Sequence, residues 1–225
     1  MPSFPNGTAA LAIEIAKGEI GTIEEGDNLT KYGKFMKADG LPWCGSFVNW
    51  CAHEAGVKIP SMVSTAMGAN KMKDLGRWIE SKPQSGDLCF MDFPHDGVDR
   101  ISHIGIVAKV EKDFVICIEG NTSGSGDQRN GGMVMIKRRA IGKEVVGFAR
   151  ARLVAYSGEY PSVEIPDEAP KKGKKKNETN QSNGSVMAAF IPSRITGRLH
   201  GRRNRSKDNR DGWLSCRLAG DSSIP

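Results

Sequence analysis

The sequence predicts an α+β fold: helices first, then an antiparallel sheet of about five strands, then a basic extension. Three observations lead there. Apolar residues recur with a helical period up to about residue 80, then fall into short β-rich runs from Gly86 onward. Helical and β-type patterns follow one another instead of alternating, which separates this chain from α/β folds. The connections between strand candidates are too short for crossovers, so neighbouring strands must run antiparallel.

The 225 residues, 38% apolar and 26% charged, suit one sizeable soluble domain plus additional sequence. No apolar run approaches the roughly 20 residues that cross a bilayer. The stretch Met1-Pro2-Ser3-Phe4-Pro5 has no basic start and no apolar run behind it. A cleaved secretory signal is therefore not expected, and the chain should be made in the cytoplasm. Of the formal charge of +6, residues 157–225 carry +5. The basic character belongs to the extension and not to the domain.

Taken in order, Thr8 can cap a first helix whose apolar side is Leu11, Ala12, Ile15 and Ala16. Residues 22–29 form an acidic loop with Glu24, Glu25 and Asp27, and a short helix follows near 29–38. The next helix has Cys44, Phe47, Val48, Cys51, Ala52 and Ala55 on one stripe, with Gly45, Ser46, Asn49, His53 and Glu54 elsewhere. Pro42 suits its entrance and Gly56 its exit. Residues 61–80, including Trp78 and Ile79, suggest one or two short helices. Strands are expected at 88–93, 101–110, 114–119, 133–138 and 145–152, separated by Gly, Pro and Asp turn signals.

Cys44 lies in the first helical turn, where free N–H groups and the helix dipole favour an anion. A thiol so placed tends towards the thiolate, the nucleophilic form. A cysteine nucleophile needs a base, and the base needs a third group to orient it. The strand candidates supply both. A hairpin turning near Glu111-Lys112 puts Glu119 or Asn121 opposite His103, and in either register the three share one face. A one-residue slip would put Gly120 opposite His103, with His103 and Glu119 on opposite faces. His53, on the polar side of the helix, and His95, in a turn, are weaker candidates for the base. The remaining cysteines read as packing residues (51, 89, 117) or as a lone tail residue (216). Five sparse cysteines without a Cys-x-x-Cys pair imply reduced thiols and no structural zinc.

Pro42-Trp43-Cys44-Gly45-Ser46-Phe47, Gly86-Asp87, Ser102-His103-Ile104-Gly105-Ile106-Val107 and Glu119-Gly120-Asn121 occur in that order. Together they resemble the CHAP family of cysteine, histidine-dependent amidohydrolases and peptidases, close to its phage endolysin branch. The resemblance covers about residues 8–152. It implies a papain-like fold, with Cys44 as nucleophile, His103 as general base, Glu119 orienting the ring and Asn121 assisting or replacing it. Independently of the resemblance, Trp43 and Trp50 beside Cys44 are candidates for lining a substrate groove, with core packing the expectation for at least one of them. Gly45 stands where the family commonly has alanine, which reads as a mild change. The implied substrate and partner is bacterial peptidoglycan, cut at the muramoyl–L-alanine amide or at a peptide bond, by a monomer acting on the wall after release. Some relatives bind calcium through an acidic loop. Glu24, Glu25, Asp27, Asn28 and Asp39 lack the alternating spacing of an oxygen cage, so no cofactor is expected.

The expected domains are a catalytic unit at 1–156, a Pro/Lys/Asn-rich linker at 157–185 and a basic tail at 186–225 that is disordered or weakly ordered. Thirteen basic and three acidic residues lie between Lys171 and Arg217. That charge suits anionic wall polymers. A virion-borne hydrolase or an autolysin would share this chemistry. A non-catalytic wall- or nucleic-acid-binding protein acting through the tail is the alternative of another class.

Overall fold

The computed structural model describes residues 4–93, 100–125, 127 and 129–165. The chain divides into compact units Met1–Lys172 and Gly173–Pro225, and the description below concerns the first. The basic tail with Cys216, most of the expected linker, and the turn with His95 lie outside the described residues.

Four helices precede most of the sheet: α1 (Ala9–Gly18), α2 (Lys31–Met36), α3 (Cys44–Glu54) and α4 (Thr65–Asp74). Thr8 caps α1 by accepting a hydrogen bond from the Leu11 amide at 3.2 Å. The buried side of α1 runs through Ala9, Ala12, Ile13 and Ala16, so it is rotated from the expected stripe, and Ile13 takes the central place. Thr30 caps α2 through the Gly33 amide at 2.9 Å. Lys37, in a left-handed conformation, ends that helix sooner than the sequence suggests. The whole expected stripe of α3 is buried, and Gly56 closes it at φ +70°.

The sheet has six strands: β1 (Trp78–Ile79), β2 (Leu88–Met91), β3 (His103–Val110), β4 (Phe114–Thr122), β5 (Met133–Ala140) and β6 (Val145–Ala149). Their order is β1-β6-β2-β3-β4-β5, and every pairing is antiparallel. The extra strand is β1, read from sequence as helical. Gly76, left-handed at φ +64°, stops α4, and Trp78 and Ile79 then pair with Ala149 and Phe148 of β6.

Alternation divides the sheet residues into two cores. Ile104, Ile106, Ile118, Leu88 and Phe90 join Phe47, Val48, Cys51 and Ile13 in the main cluster between helices and sheet. Cys89, Met91, Val107, Cys117 and Phe148 form the second cluster on the other face. Tyr160 and Val163, beyond β6, also pack against the main cluster.

The β3–β4 hairpin contains a β-bulge. Near its tip Val110 faces Val115 and Lys109 faces Ile116, but the next pair is Val107 with Cys117. Ala108 is the extra residue. The tip alone would send Glu119 to the face opposite His103. The bulge restores the phase, so Ile106 faces Ile118 and the run continues towards His103 and Asn121. The shared face expected from sequence is thus reached by a different route.

Candidate active site

The site forms where the first turn of α3 meets the sheet ends carrying His103 and Glu119. Cys44 opens the helix and is 3% exposed. Trp43, at the N-cap, contributes no side-chain cap, and the first-turn amides of a helix have no intrahelical acceptors. That end of α3 is fixed from three sides. Phe47, Val48 and Cys51 are fully buried against the sheet. Asn49 donates to the Pro60 carbonyl at 2.9 Å and accepts from the Met62 amide at 2.6 Å, clamping the following loop. Gly45 lets that loop lie against the helix, because a Cβ there would stand 1.7 Å from the Met62 carbonyl oxygen. The glycine after Cys44 is therefore a requirement of the packing and more than a mild substitution. The same packing buries Ser46 and Asn49, which the sequence put on the polar side of the helix.

His103 is the first residue of β3 and is wholly buried. Its Nε2 lies 3.0 Å from Glu119 Oε2. With Nε2 taken by Glu119, Nδ1 is the nitrogen left for exchange with the Cys44 thiol. Burial alone would lower the ring's pKa. A negative charge on Cys44 and hydrogen bonding to it, followed by Glu119, outweigh burial and raise it from 6.5 to about 9. The imidazolium is thus the resting form at neutral pH.

Glu119 is also wholly buried, and a lone buried carboxylate would take up a proton. Arg139 of β5 prevents this. Its Nε donates to Glu119 Oε1 at 2.7 Å and its Nη2 to Oε2 at 2.6 Å. Burial pulls the carboxyl pKa upward, but the Arg139 hydrogen bonds and charge, then His103, win and lower it from 4.5 to about 2. Gly105 makes the cross-strand reach feasible, since a Cβ there would lie 2.7 Å from Glu119 Cγ. Phe93 covers the array, its ring 5.5 Å from that of His103 and 4.9 Å from the Arg139 guanidinium carbon. Sequence reasoning missed Arg139. Arg139 lies one residue beyond the 133–138 strand candidate, and only because β5 runs on to Ala140 does its backbone face Val115, four residues from Glu119 along β4, a span for a long side chain.

Asn121 does not join this array. It adopts a left-handed conformation at φ +56°, which asparagine tolerates better than most residues. Its Nδ2 donates to Asn28 Oδ1 at 3.2 Å and Asn130 Oδ1 at 2.9 Å, while its Oδ1 accepts from the Gly132 amide at 3.0 Å. It holds loops together, and Glu119 is the residue beside the histidine.

The two tryptophans are not where a groove would need them. Trp43 is completely buried, stacked on Tyr32 at 5.3 Å, and donates its Nε1 hydrogen to Glu24 Oε2 at 2.7 Å. Trp50 is half-buried against Tyr32, with Lys31 over its ring at 4.3 Å. The cleft beside Cys44, about 220 Å³, is lined instead by Leu41, Pro42 and Val63, by Ser64, Thr65 and Ser102, and by Arg100 and Arg129.

The other singled-out groups have structural places. Asp87 is buried and forms a two-pronged ion pair with Arg150, both contacts 2.8 Å, so the Gly86-Asp87 motif ties the turn before β2 to the chain leaving β6. Burial pushes the Cys51 and Cys117 thiols up, Cys117 further through its contact with Cys89, and neither favours a thiolate. His53 sits at the far end of α3, roughly 14 Å from Cys44 at 1.5 Å per residue, beside Phe35. In the acidic loop Glu24 accepts from Trp43, Asn28 from Asn121, and Asp39 from the Thr30 amide at 3.0 Å. Among the described residues no three acidic, His or Cys side chains assemble as metal ligands.

No curated protein matches the chain. Among solved structures, Ly7917 aligns over 64% of this chain and 62% of its own, at 16% identity and a TM-score of 0.41. A second structure of Ly7917, with the hydrolyzing product of MDP, gives 16% and 0.39 over 63% of its length. A Staphylococcus aureus protein described as similar to lipoprotein, of the NLP/P60 family, aligns over 69% of this chain and 44% of its own, at 15% and 0.37. This chain therefore spans less than two thirds of each. The CHAP domain family model matches residues 36–121, a span that holds Cys44, His103 and Glu119 and stops short of Arg139. Over that span the chain is similar to CHAP domains, as the motif order had implied.

Proposed function

We propose that this protein is a peptidoglycan hydrolase of the endolysin type, cutting an amide or peptide bond of the bacterial wall with Cys44 as nucleophile. The observation that carries the reading is the contact between the buried His103 and Glu119 beside a cysteine at a helix N-terminus, inside the span similar to CHAP domains.

The reading comprises these steps. Cys44 Sγ attacks the carbonyl carbon, an S–C bond forms and the carbonyl oxygen becomes an oxyanion. The backbone N–H of Cys44 donates to that oxygen. His103, already protonated, gives its Nδ1 proton to the leaving amine as the C–N bond breaks. A water then loses a proton to the neutral ring, its oxygen attacks the thioester carbon, and Cys44 leaves as thiolate. Glu119 holds the ring through Nε2 throughout and offsets its charge. Arg139 positions Glu119 and keeps it ionised.

Purified protein should clear suspensions of susceptible cell walls, and Cys44→Ala should not. Equal clearing by both would remove the basis of the proposal. Mass spectrometry of the released fragments names the bond: a new amino terminus on L-alanine marks an amidase, and one within the stem or bridge an endopeptidase.

A further inference from the structure

The lining of the cleft at Cys44 is of two chemical kinds. Leu41 (51% exposed), Pro42 and Val63 are apolar. Arg100 and Arg129 are cationic, and no acidic side chain lines the cleft among the described residues. Arg100 is exposed and makes no hydrogen bond or ion pair among the described residues. Its position is nevertheless set. The carbonyl of the next residue, Ile101, accepts from Thr65 Oγ1 at 3.0 Å, and the Ser102 amide donates to the Met91 carbonyl at 3.0 Å. Arg129 is half-buried on a loop fixed at two points. Its amide donates to Asp127 Oδ1 at 2.8 Å, and the neighbouring Asn130 side chain is held by Asn121. The conformation of Asn121 thereby gains a second consequence, since it holds one of the two cations at the cleft.

A guanidinium matches a carboxylate in shape and charge, and the exposed Arg100 presents one at the cleft. We propose that Arg100, reinforced by Arg129, forms a carboxylate subsite beside Cys44, so that the substrate is an acidic peptide with a free carboxylate next to the amide attacked. The apolar lining residues then take the small methyl side chains of the same peptide. This rests on the reading of the chain as a wall hydrolase. Within a wall stem peptide two carboxylates qualify, the α-carboxyl of the γ-linked glutamate and the carboxyl at the peptide's end.

The full-length Cys44→Ala protein, which binds without turnover, is titrated with two pairs of soluble muramyl peptides. In one pair the glutamyl α-carboxyl is free or amidated; in the other the terminal carboxyl is. Amidation in one pair should weaken binding roughly tenfold or more, the scale of a charge-assisted hydrogen bond, and the responding pair identifies the carboxylate. Adding Arg100→Gln should abolish that difference. Arg138→Gln, the same charge change on the surface pair with Glu111, should keep it. Arg100 is exposed, so the variant should melt with the parent. Equal binding within both pairs, no binding of any peptide, or a preference that survives Arg100→Gln with Arg129→Gln each overturns the subsite. Wall clearing by the unmutated protein is scored separately. Acid-selective binding without clearing leaves the subsite standing and defeats the hydrolase reading. Clearing without acid selectivity does the reverse.

Discussion

His103 and Glu119 have pKa values displaced in opposite directions, and that makes the pH response specific. His103 is raised to about 9, so the proton for the leaving amine is present below that value and lost above it. Activity should fall as pH rises through about 9, and a pH–rate profile checks it. The stability sign follows from linkage. The raised histidine stabilises the fold fully below its ordinary 6.5 and loses that contribution as pH climbs to about 9. The lowered carboxyl stabilises above its ordinary 4.5 and loses that contribution as pH falls through about 2. Melting temperature should therefore be highest between about 4.5 and 6.5. Arg139→Met strips the buried Glu119 of both arginine hydrogen bonds and leaves it His103 alone; removing one partner of a buried ion pair typically costs about 3–5 kcal/mol. Urea denaturation measures the loss, and Arg139→Lys should recover part of it. If Arg139 acts through Glu119, as its two hydrogen bonds imply, the surviving enzyme should also show a displaced pH–rate profile. A merely structural arginine would not move that profile. The Arg139–Glu119 pair was not legible in the sequence, because a buried ion pair depends on which strand neighbours which. A single chain gives no direct sign that β5 lies beside β4.

The helix of the nucleophile shows the opposite. The α3 stripe was legible residue by residue, because its apolar spacing and flanking Pro42 and Gly56 are local signals. What the sequence could not show was the loop laid against Gly45 and Asn49. Tertiary packing, not helical period, decides whether a polar helix face is covered. Two substitutions separate these layers. Phe47→Ala removes a fully buried ring between helix and sheet, at about 3–5 kcal/mol, and should loosen Cys44 against His103, so activity should drop along with stability. Gly45→Ala forces the Met62 backbone away, an overpacking cost of about 1–3 kcal/mol. Because Val63 on that loop lines the cleft, Gly45→Ala should change KM. Thermal melts alongside kinetics on soluble wall fragments measure both. Trp78 and Ile79 mark the other limit, since two residues are too few for any periodicity to separate strand from helix.

For the whole molecule, helices before sheet and antiparallel neighbours were readable because both follow from the order of local patterns and the shortness of turns. The active-site pairing was readable only in part: parity could require His103 and Glu119 to share a face, but could not show Ala108 restoring it. The basic segment beyond the domain can be tested by its charge alone. Removing residues 186–225 should spare Cys44-dependent cleavage of soluble fragments while making attachment to whole walls weaker and less dependent on salt. Sedimentation with walls across a salt series reads this directly. The bulge carries a further consequence, in the currency of insertions and deletions. Val107–Cys117 and Lys109–Ile116 already face each other on either side of Ala108, so deleting Ala108 closes the ladder without moving His103 from its side of the sheet. Deleting Ile106 instead turns His103 over. The first variant should lose stability yet keep its chemistry, and the second should be inert. The hairpin tip can therefore vary in length while the histidine keeps its phase, and the cost of that freedom is one residue that pairs with nothing.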